Sequence, residues 1–341
     1  MLLLIPYLFP ERAFIQRALD DLRLPALETL LARGTRVTCA MEGVEAALCN
    51  ELGIPRQSDY PIAPITLEAD GGTAGTDYWL RADPVHLRAM RDRLVLADSG
   101  VLEISRHEAE ALAQSIANHF GAAFSPVPLH PERWYVRFSA APQLLTTPVS
   151  NAVGRDINPL LPQGEDARTF RTLLNELQML LFDHPVNLAR EARGELPINS
   201  LWLWGGGHKP AAYSAGMPLY AQDAGARALG RFCHAKLHTL PSHMELKLLP
   251  MHGVILLDQL VSAGQYGDAY GWREAIRALE RDWFAPLRQS LGRIDPAGVR
   301  LIDPVNGTSL LLKRADAWKF WLRPRCLAAP ATPAMNAYCW F

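Results

Sequence analysis

The sequence predicts an α/β fold, a doubly wound core split by an inserted α/β domain. Short apolar runs with strand composition, at residues 2–5, 198–204, 253–257 and 299–302, alternate with helical periodicities near both ends of the chain. Between those ends lies a different middle, rich in broken alternation and charge, which reads as an insertion into the alternating pattern. At 341 residues and 49% hydrophobic, the chain is long enough for two domains and can bury a sizeable core. The expected division is a core from residues 1–70 and 196–325, an insertion over 71–195, and a tail over 326–341.

Taken in order, residues 2–5 form the first buried strand, since Pro6 and Pro10 and the lack of basic residues argue against a signal peptide. Residues 11–22 have helical spacing. Residues 24–34 form a short helix with Pro25 near its start and Gly34 as its C-cap. A further helix spans 44–52, and residues 65–68 read as a strand before the Asp70-Gly71-Gly72 turn. Ser105 and Glu108 are spaced as a capping box for a helix running to about His119. Residues 133–138 alternate as a half-exposed strand, and 166–182 form the most regular amphipathic helix. Helices are also expected over 224–236 and over 272–291, the latter strained only by Pro286, with strands at 309–313 and 317–323.

The formal net charge of −1 gives no electrostatic reason to expect nucleic acid or an anionic membrane as partner. No apolar run approaches transmembrane length. Five scattered cysteines without a C-x-x-C pair point to reduced thiols and a cytoplasmic protein.

The most distinctive stretch is residues 197–210, Pro-Ile-Asn-Ser-Leu-Trp-Leu-Trp-Gly-Gly-Gly-His-Lys-Pro. A buried strand ending in bare glycines is where an α/β sheet presents a ligand site, and it equally suits a plain tight turn. No Gly-Lys-Ser/Thr follows, which excludes a P-loop. Arg81, Asp83, His86 and Arg88, with Arg155, Arg190 and Arg193, have the donors for an anion pocket. The same arginines also suit salt-bridged surface and interface positions. His234 and His238 are four apart, on one face if helical, yet lack the third ligand and the His-Glu-x-x-His frame of a zinc site. Asp183-His184 with Ser200 or Ser214 makes a poor triad, because neither serine lies in a Gly-x-Ser-x-Gly turn.

Several pieces together resemble the archaeal-type, cofactor-independent phosphoglycerate mutases of the alkaline phosphatase superfamily. They are the 24–34 helix, the Arg-containing strand and the Ile-Ser-x-x-Glu-Ala-x-x-Leu helix between 80 and 112, and a dense middle block. That block includes Gly154-Arg155, Asn175-Glu176, Asp183-His184-Pro185-Val186-Asn187, Arg190, Arg193-Gly194, Asn199 and the glycines. The chain is more closely similar to bacterial RpfE-type regulatory proteins, which are related to those mutases.

The resemblance implies an alkaline-phosphatase-like core whose insertion supplies the substrate side. It offers Arg81, Asp83, His86, Arg155, Arg190, Arg193, Asn199, Gly205, Gly206 and Gly207 as ligand-binding residues for a small phosphorylated or carboxylate ligand. The superfamily works with two divalent metals, commonly Mn, Zn or Mg, and a Ser or Thr nucleophile. Here the first strand ends in Ile5-Pro6-Tyr7 without a carboxylate, and residues 44–49 offer no hydroxyl. The family's Asp-x-x-x-His-x-x-Asp run is matched only by Asp258, Gln265 and Asp268, its Asp-His pair by Asp303-Pro304, and its last His has no counterpart near 318–324. The expectation is therefore a non-catalytic, regulatory or ligand-binding relative without metal cofactor or catalytic residues. The alternatives are an active metal-dependent mutase or phosphotransferase, and a structural or partner-binding protein.

Overall fold

A computed structural model describes residues 1–9, 14, 18, 21–39, 42–91, 93–211, 216–245, 252–325 and 327. Two compact units result, Met1–Leu52 with Ser214–Phe341, and Gly53–Tyr213. The strands are β1 (Leu2–Leu4), β2 (Thr35–Thr38), β3 (Tyr78–Ala89), β4 (Leu94–Ala97), β5 (Pro126–His130), β6 (Arg133–Phe138), β7 (Ser200–His208), β8 (Pro218–Tyr220), β9 (Lys236–His238), β10 (Val254–Leu256), β11 (Val299–Asp303) and β12 (Thr308–Leu312).

The first unit carries a seven-stranded sheet in the order β2-β12-β11-β1-β10-β8-β9. The central strand β1 pairs in parallel with both β10 and β11, and β8 and β9 continue the parallel set. β12 runs antiparallel to both of its neighbours, β11 and β2. All three residues of β1 are buried, as expected of a parallel strand covered on both faces. Leu3 and Ile5 join one core cluster with Leu27, Trp272, Ile276 and Phe284. The alternate residues Leu2 and Leu4 are buried on the opposite face. The expected α/β core is thus present, with a parallel sheet split in sequence by the second unit.

Its helices follow from local chemistry. Pro25 opens the Pro25–Arg33 helix at N1, where its missing N–H costs nothing. Gly34 ends it with extended backbone rather than a left-handed cap. A glycine suits that place for another reason, since a Cβ would come within 2.8 Å of the Leu310 and Leu312 side chains. The expected 272–291 helix begins earlier, at Ala269, and passes through a π-helical stretch over Glu280–Phe284 before Ala285–Ser290. Pro286 cannot donate to the carbonyl of Asp282, and the Met244 N–H takes that acceptor at 2.8 Å. The expected helix over 224–236 stops at Phe232, and residues 236–238 become β9. The expected strand over 317–323 is replaced by the 3-10 turn Arg314–Trp318 and irregular chain. The expected 11–22 helix lies largely outside the described residues.

The second unit is built on an antiparallel sheet, β4-β3-β6-β5, with β7 along the other side of β3. One face packs on the Arg106–Phe120 and Ala167–Phe182 helices. The Ser105–Glu108 capping box forms as expected. On the other face lies the Ile62–Ala69 helix, where a strand over 65–68 was expected. Pro64 sits in its first turn, where N–H groups are unbonded anyway, and Thr66 Oγ1 donates back to the Ile62 carbonyl at 2.8 Å. The expected division at 70/71 and 195/196 shifts to 52/53 and 213/214 because this helix and β7 both pack into the second unit's sheet.

Asn187 ties this unit together. It is 1% exposed, donates through Nδ2 to the Leu181 and Ile198 carbonyls, and accepts from the Ile198 N–H. Asn187→Ala leaves three buried main-chain groups unpaired, so equilibrium urea unfolding should show a loss of about 3 kcal/mol or more.

Candidate functional site

Parallel sheets present ligands at the carboxyl ends of their strands, which in the first unit means the residues after β1, β8, β10 and β11. Asp303 ends β11 and is fully buried. Its carboxylate accepts from the N–H groups of Tyr7 (3.1 Å), Phe9 (2.8 Å), Val305 (3.1 Å) and Asn306 (3.2 Å), and from Asn306 Nδ2 (3.1 Å). Burial pushes the carboxyl up, and these donors oppose that. Tyr7, at the end of β1, has φ +62° and is buried, with its ring against Gly264 where any Cβ would collide with it. Its carbonyl accepts from Trp272 Nε1 at 3.0 Å.

The other carboxylates at this edge are spread over separate tasks. Asp223 caps the Ala224–Phe232 helix by accepting from the Ala226 N–H at 2.6 Å, and Asp268 caps Ala269–Leu279 through Tyr270 and Gly271. Asp258, after β10, is pushed up by burial, with the Asp223 charge adding to the effect. His238 lies on β9, stacked on Tyr220 at 4.7 Å, and His234 follows the helix in a turn with φ +51°. The two histidines therefore do not share a helical face. Among the described residues, no group of three or more His, Cys, Asp or Glu is placed to hold a metal ion. The donor set of this edge does not fit two divalent ions.

The arginines expected to form one anion pocket fall into separate networks of the second unit. Arg81 and Asp83 form a buried bidentate pair at 2.8–2.9 Å, with Arg81 held between the Tyr135 and Trp204 rings. Trp204 Nε1 donates to Asp83 at 2.7 Å. Arg190, 1% exposed, donates to the Leu196 carbonyl at 2.8 Å, to the Leu102 carbonyl, and to Glu108 at 3.2 Å. Arg193 shares Glu108 at 2.8 Å and also grips Glu195. Arg190 and Arg193 thus converge on Glu108, while Arg81 is committed to Asp83. Carboxylates of the chain itself occupy the guanidinium forks of Arg81, Arg190 and Arg193.

His86 and Asn199 also hold backbone. His86 Nδ1 lies 2.9 Å from the Pro197 carbonyl, and Asn199 bonds both the N–H and carbonyl of Leu87, pinning the start of β7 to β3. Arg155 is half-buried in the loop after Gly154, whose φ is +72°. The three glycines are strand, not turn. Trp204 opposes Arg81 and Gly207 opposes Trp79, so Gly205 and Gly206 form a bulge opposite Leu80. Gly205 takes φ +65°, and added Cβ atoms would meet Ile62 (3.0 Å) at Gly205, Tyr78 at Gly206 and Pro61 (2.7 Å) at Gly207. The smallness of Gly205 and Gly207 admits the Ile62–Ala69 helix and its lead-in, and that of Gly206 admits the Tyr78 and Leu80 side chains of β3.

His184 belongs to no triad with Ser200. Its Nδ1 accepts from the Val186 N–H as the N-cap of Pro185–Ala192, so its Nε2, 2.9 Å from Ser115 Oγ, carries the proton. Ser200 Oγ is buried in β7, and Ser214 lies outside the described residues. Sequence reasoning missed Asp70, which bonds both Arg133 Nε (2.8 Å) and Nη2 (2.7 Å) and accepts from Tyr135 Oη at 2.6 Å. The alternation of Arg133 and Tyr135 on β6 carried the signal, but their partner sits in a turn 63 and 65 residues away.

The family described as 2,3-bisphosphoglycerate-independent phosphoglycerate mutase matches residues 69–187, a stretch within the second unit. The enzyme of that name from Methanosarcina mazei is 29% identical over 62% of this chain and 54% of its own length. The one from Methanosarcina acetivorans is 31% identical over 59% of this chain and 51% of its own. The chain spans about half the length of these curated relatives. A solved cofactor-independent phosphoglycerate mutase from Thermoplasma acidophilum aligns over 91% of this chain and 88% of its own, with 18% identity and a TM-score of 0.44. The sequence matches support a relationship between this chain and the cofactor-independent phosphoglycerate mutases.

Burial resists ionisation of Asp70, but Arg133 and Tyr135 outweigh it and hold the carboxyl below the usual range. A depressed folded pKa gives stability that is full above the unfolded value, about pH 4, and is lost as pH falls through the folded one. Melting temperatures of the wild type should therefore fall from about pH 4 downwards, and Asp70→Asn should flatten that part of the profile.

Proposed function

We propose that this chain is a degenerate, non-catalytic relative of the cofactor-independent phosphoglycerate mutases, with a regulatory or ligand-binding role. The observation that carries this reading is the commitment of Asp303. A carboxylate that accepts five hydrogen bonds from its own chain has little lone-pair capacity left for a cation. Tyr7 fills the end of β1, where the resemblance would place a ligand carboxylate. Two-metal phosphoryl transfer needs several oxygen and nitrogen donors at one point to clamp the phosphoryl oxygens. Asp223, Asp258 and Asp268 do not supply that set, because two of them are spent as helix caps.

The resemblance to bacterial RpfE-type regulators supports a regulatory role. An anionic ligand would have to bind without Arg81, Arg190 and Arg193, whose forks are taken by Asp83, Glu108 and Glu195. The names of the matched relatives favour a second reading, an active metal-dependent mutase. A phosphoglycerate mutase assay supplied in turn with Mn²⁺, Mg²⁺ and Zn²⁺ separates the two. The proposal expects product formation no faster than the protein-free blank. Turnover in the ordinary enzymatic range, about 1 s⁻¹ or faster, would replace it with the mutase reading.

A further inference from the structure

After β12 the chain makes the 3-10 turn Arg314–Trp318 and continues irregularly through Lys319-Phe320-Trp321-Leu322-Arg323-Pro324-Arg325. Trp318, Phe320 and Trp321 are 73%, 74% and 66% exposed, and Leu322 beside them is 37% exposed. The same unit buries Trp272 and Trp283 almost completely, so it has a core for such side chains and leaves these outside it. The segment is anchored. Lys319 Nζ donates to the Arg33 carbonyl at 2.9 Å, Arg33 Nη1 to the Ala317 carbonyl at 3.2 Å, and the Arg325 N–H to the Glu28 carbonyl at 3.1 Å. Three large aromatic rings are thus held out from the surface on a fixed stem.

The charge around them is one-sided. Residues 313–325 contain five basic side chains and one carboxylate, Asp316. Asp316 is buried, accepting from the Lys313 N–H and pairing with Lys319 at 2.7 Å. The chain-wide charge of −1, which argues against an anionic surface as partner, averages this local excess away.

We propose that this segment seats the protein on the surface of an anionic lipid bilayer. Trp and Phe rings favour the headgroup layer, where an apolar body and a wet indole N–H are both accommodated. Basic side chains beside them are drawn to anionic headgroups and can keep their stems along the rings. Protruding rings enter a fluid layer without the shaped pocket that a folded partner would have to provide. Attachment is peripheral, and no helix among the described residues is long and apolar enough to cross a membrane.

The test is sedimentation of the full chain with phosphatidylcholine vesicles, with and without phosphatidylserine. The wild type should pellet with the anionic vesicles only and be largely released at about 0.5 M salt. Trp318→Ala/Trp321→Ala and Arg323→Glu should each retain the wild-type melting temperature, and the bound fraction should fall about tenfold in the double variant. A wild type that stays in the supernatant overturns the proposal, as does a double variant that pellets undiminished. If the wild type ignores vesicles and elutes as a dimer that the double variant dissolves, the patch belongs to a second copy of the chain, and the lipid assignment is wrong.

Discussion

Five N–H groups converge on the Asp303 carboxylate, and they come from both sides of the strand junction it occupies. Tyr7 and Phe9 lie just past β1, while Val305 and Asn306 turn the chain from β11 into β12. One buried anion therefore sets where the central strand ends and how its neighbour reverses. Burying a charge is costly unless it is fully hydrogen-bonded, so the arrangement persists only while all these donors are kept. Tyr7 accepts a left-handed backbone within it, and Gly264 and Trp272 close around its ring and carbonyl. A metal ion would have to compete with this clamp for the same oxygens.

The second unit applies the same physics to its arginines. Arg81, Arg133 and Arg190 are each matched with a carboxylate in hydrogen-bonding geometry, and Arg81 gains two aromatic faces as well. Guanidinium forks bind carboxylates bidentately and are easier to desolvate than ammonium groups, which suits these interior positions. The result is an antiparallel sheet whose arginines find their counter-charges within the unit, while Ser200 Oγ on β7 is buried without a hydrogen-bond partner among the described residues. The family match over residues 69–187 falls within this unit, and the similarity to individual phosphoglycerate mutases extends beyond it.

Much of the architecture was legible because local chemistry agreed with the global fold. The Ser105 capping box, the Ala167–Phe182 stripe and the buried runs of β1, β10 and β11 each announced themselves within a short window. The glycines misled because a strand bulge and a ligand-facing turn have the same composition. Only the packing around Gly205–Gly207 distinguishes them, and its partners, β3 and the Ile62–Ala69 helix with its lead-in, lie well over 100 residues away in sequence. The arginines allowed two readings, an anion pocket and salt-bridged positions. Asp83 and Glu108 were visible in the sequence for other reasons, but only the fold pairs them with Arg81 and with Arg190 and Arg193.

The central claim, that Asp303 serves backbone rather than metal, is open to one direct measurement. Melting temperatures of the wild type and Asp303→Ala would be compared with and without millimolar Mn²⁺. The clamp predicts a variant destabilised by about 3 kcal/mol or more, from orphaned buried N–H groups, and a wild type that Mn²⁺ leaves unmoved. A wild type stabilised by several degrees in Mn²⁺, with the gain abolished in Asp303→Ala, would show a metal ligand at that strand end and contradict the account.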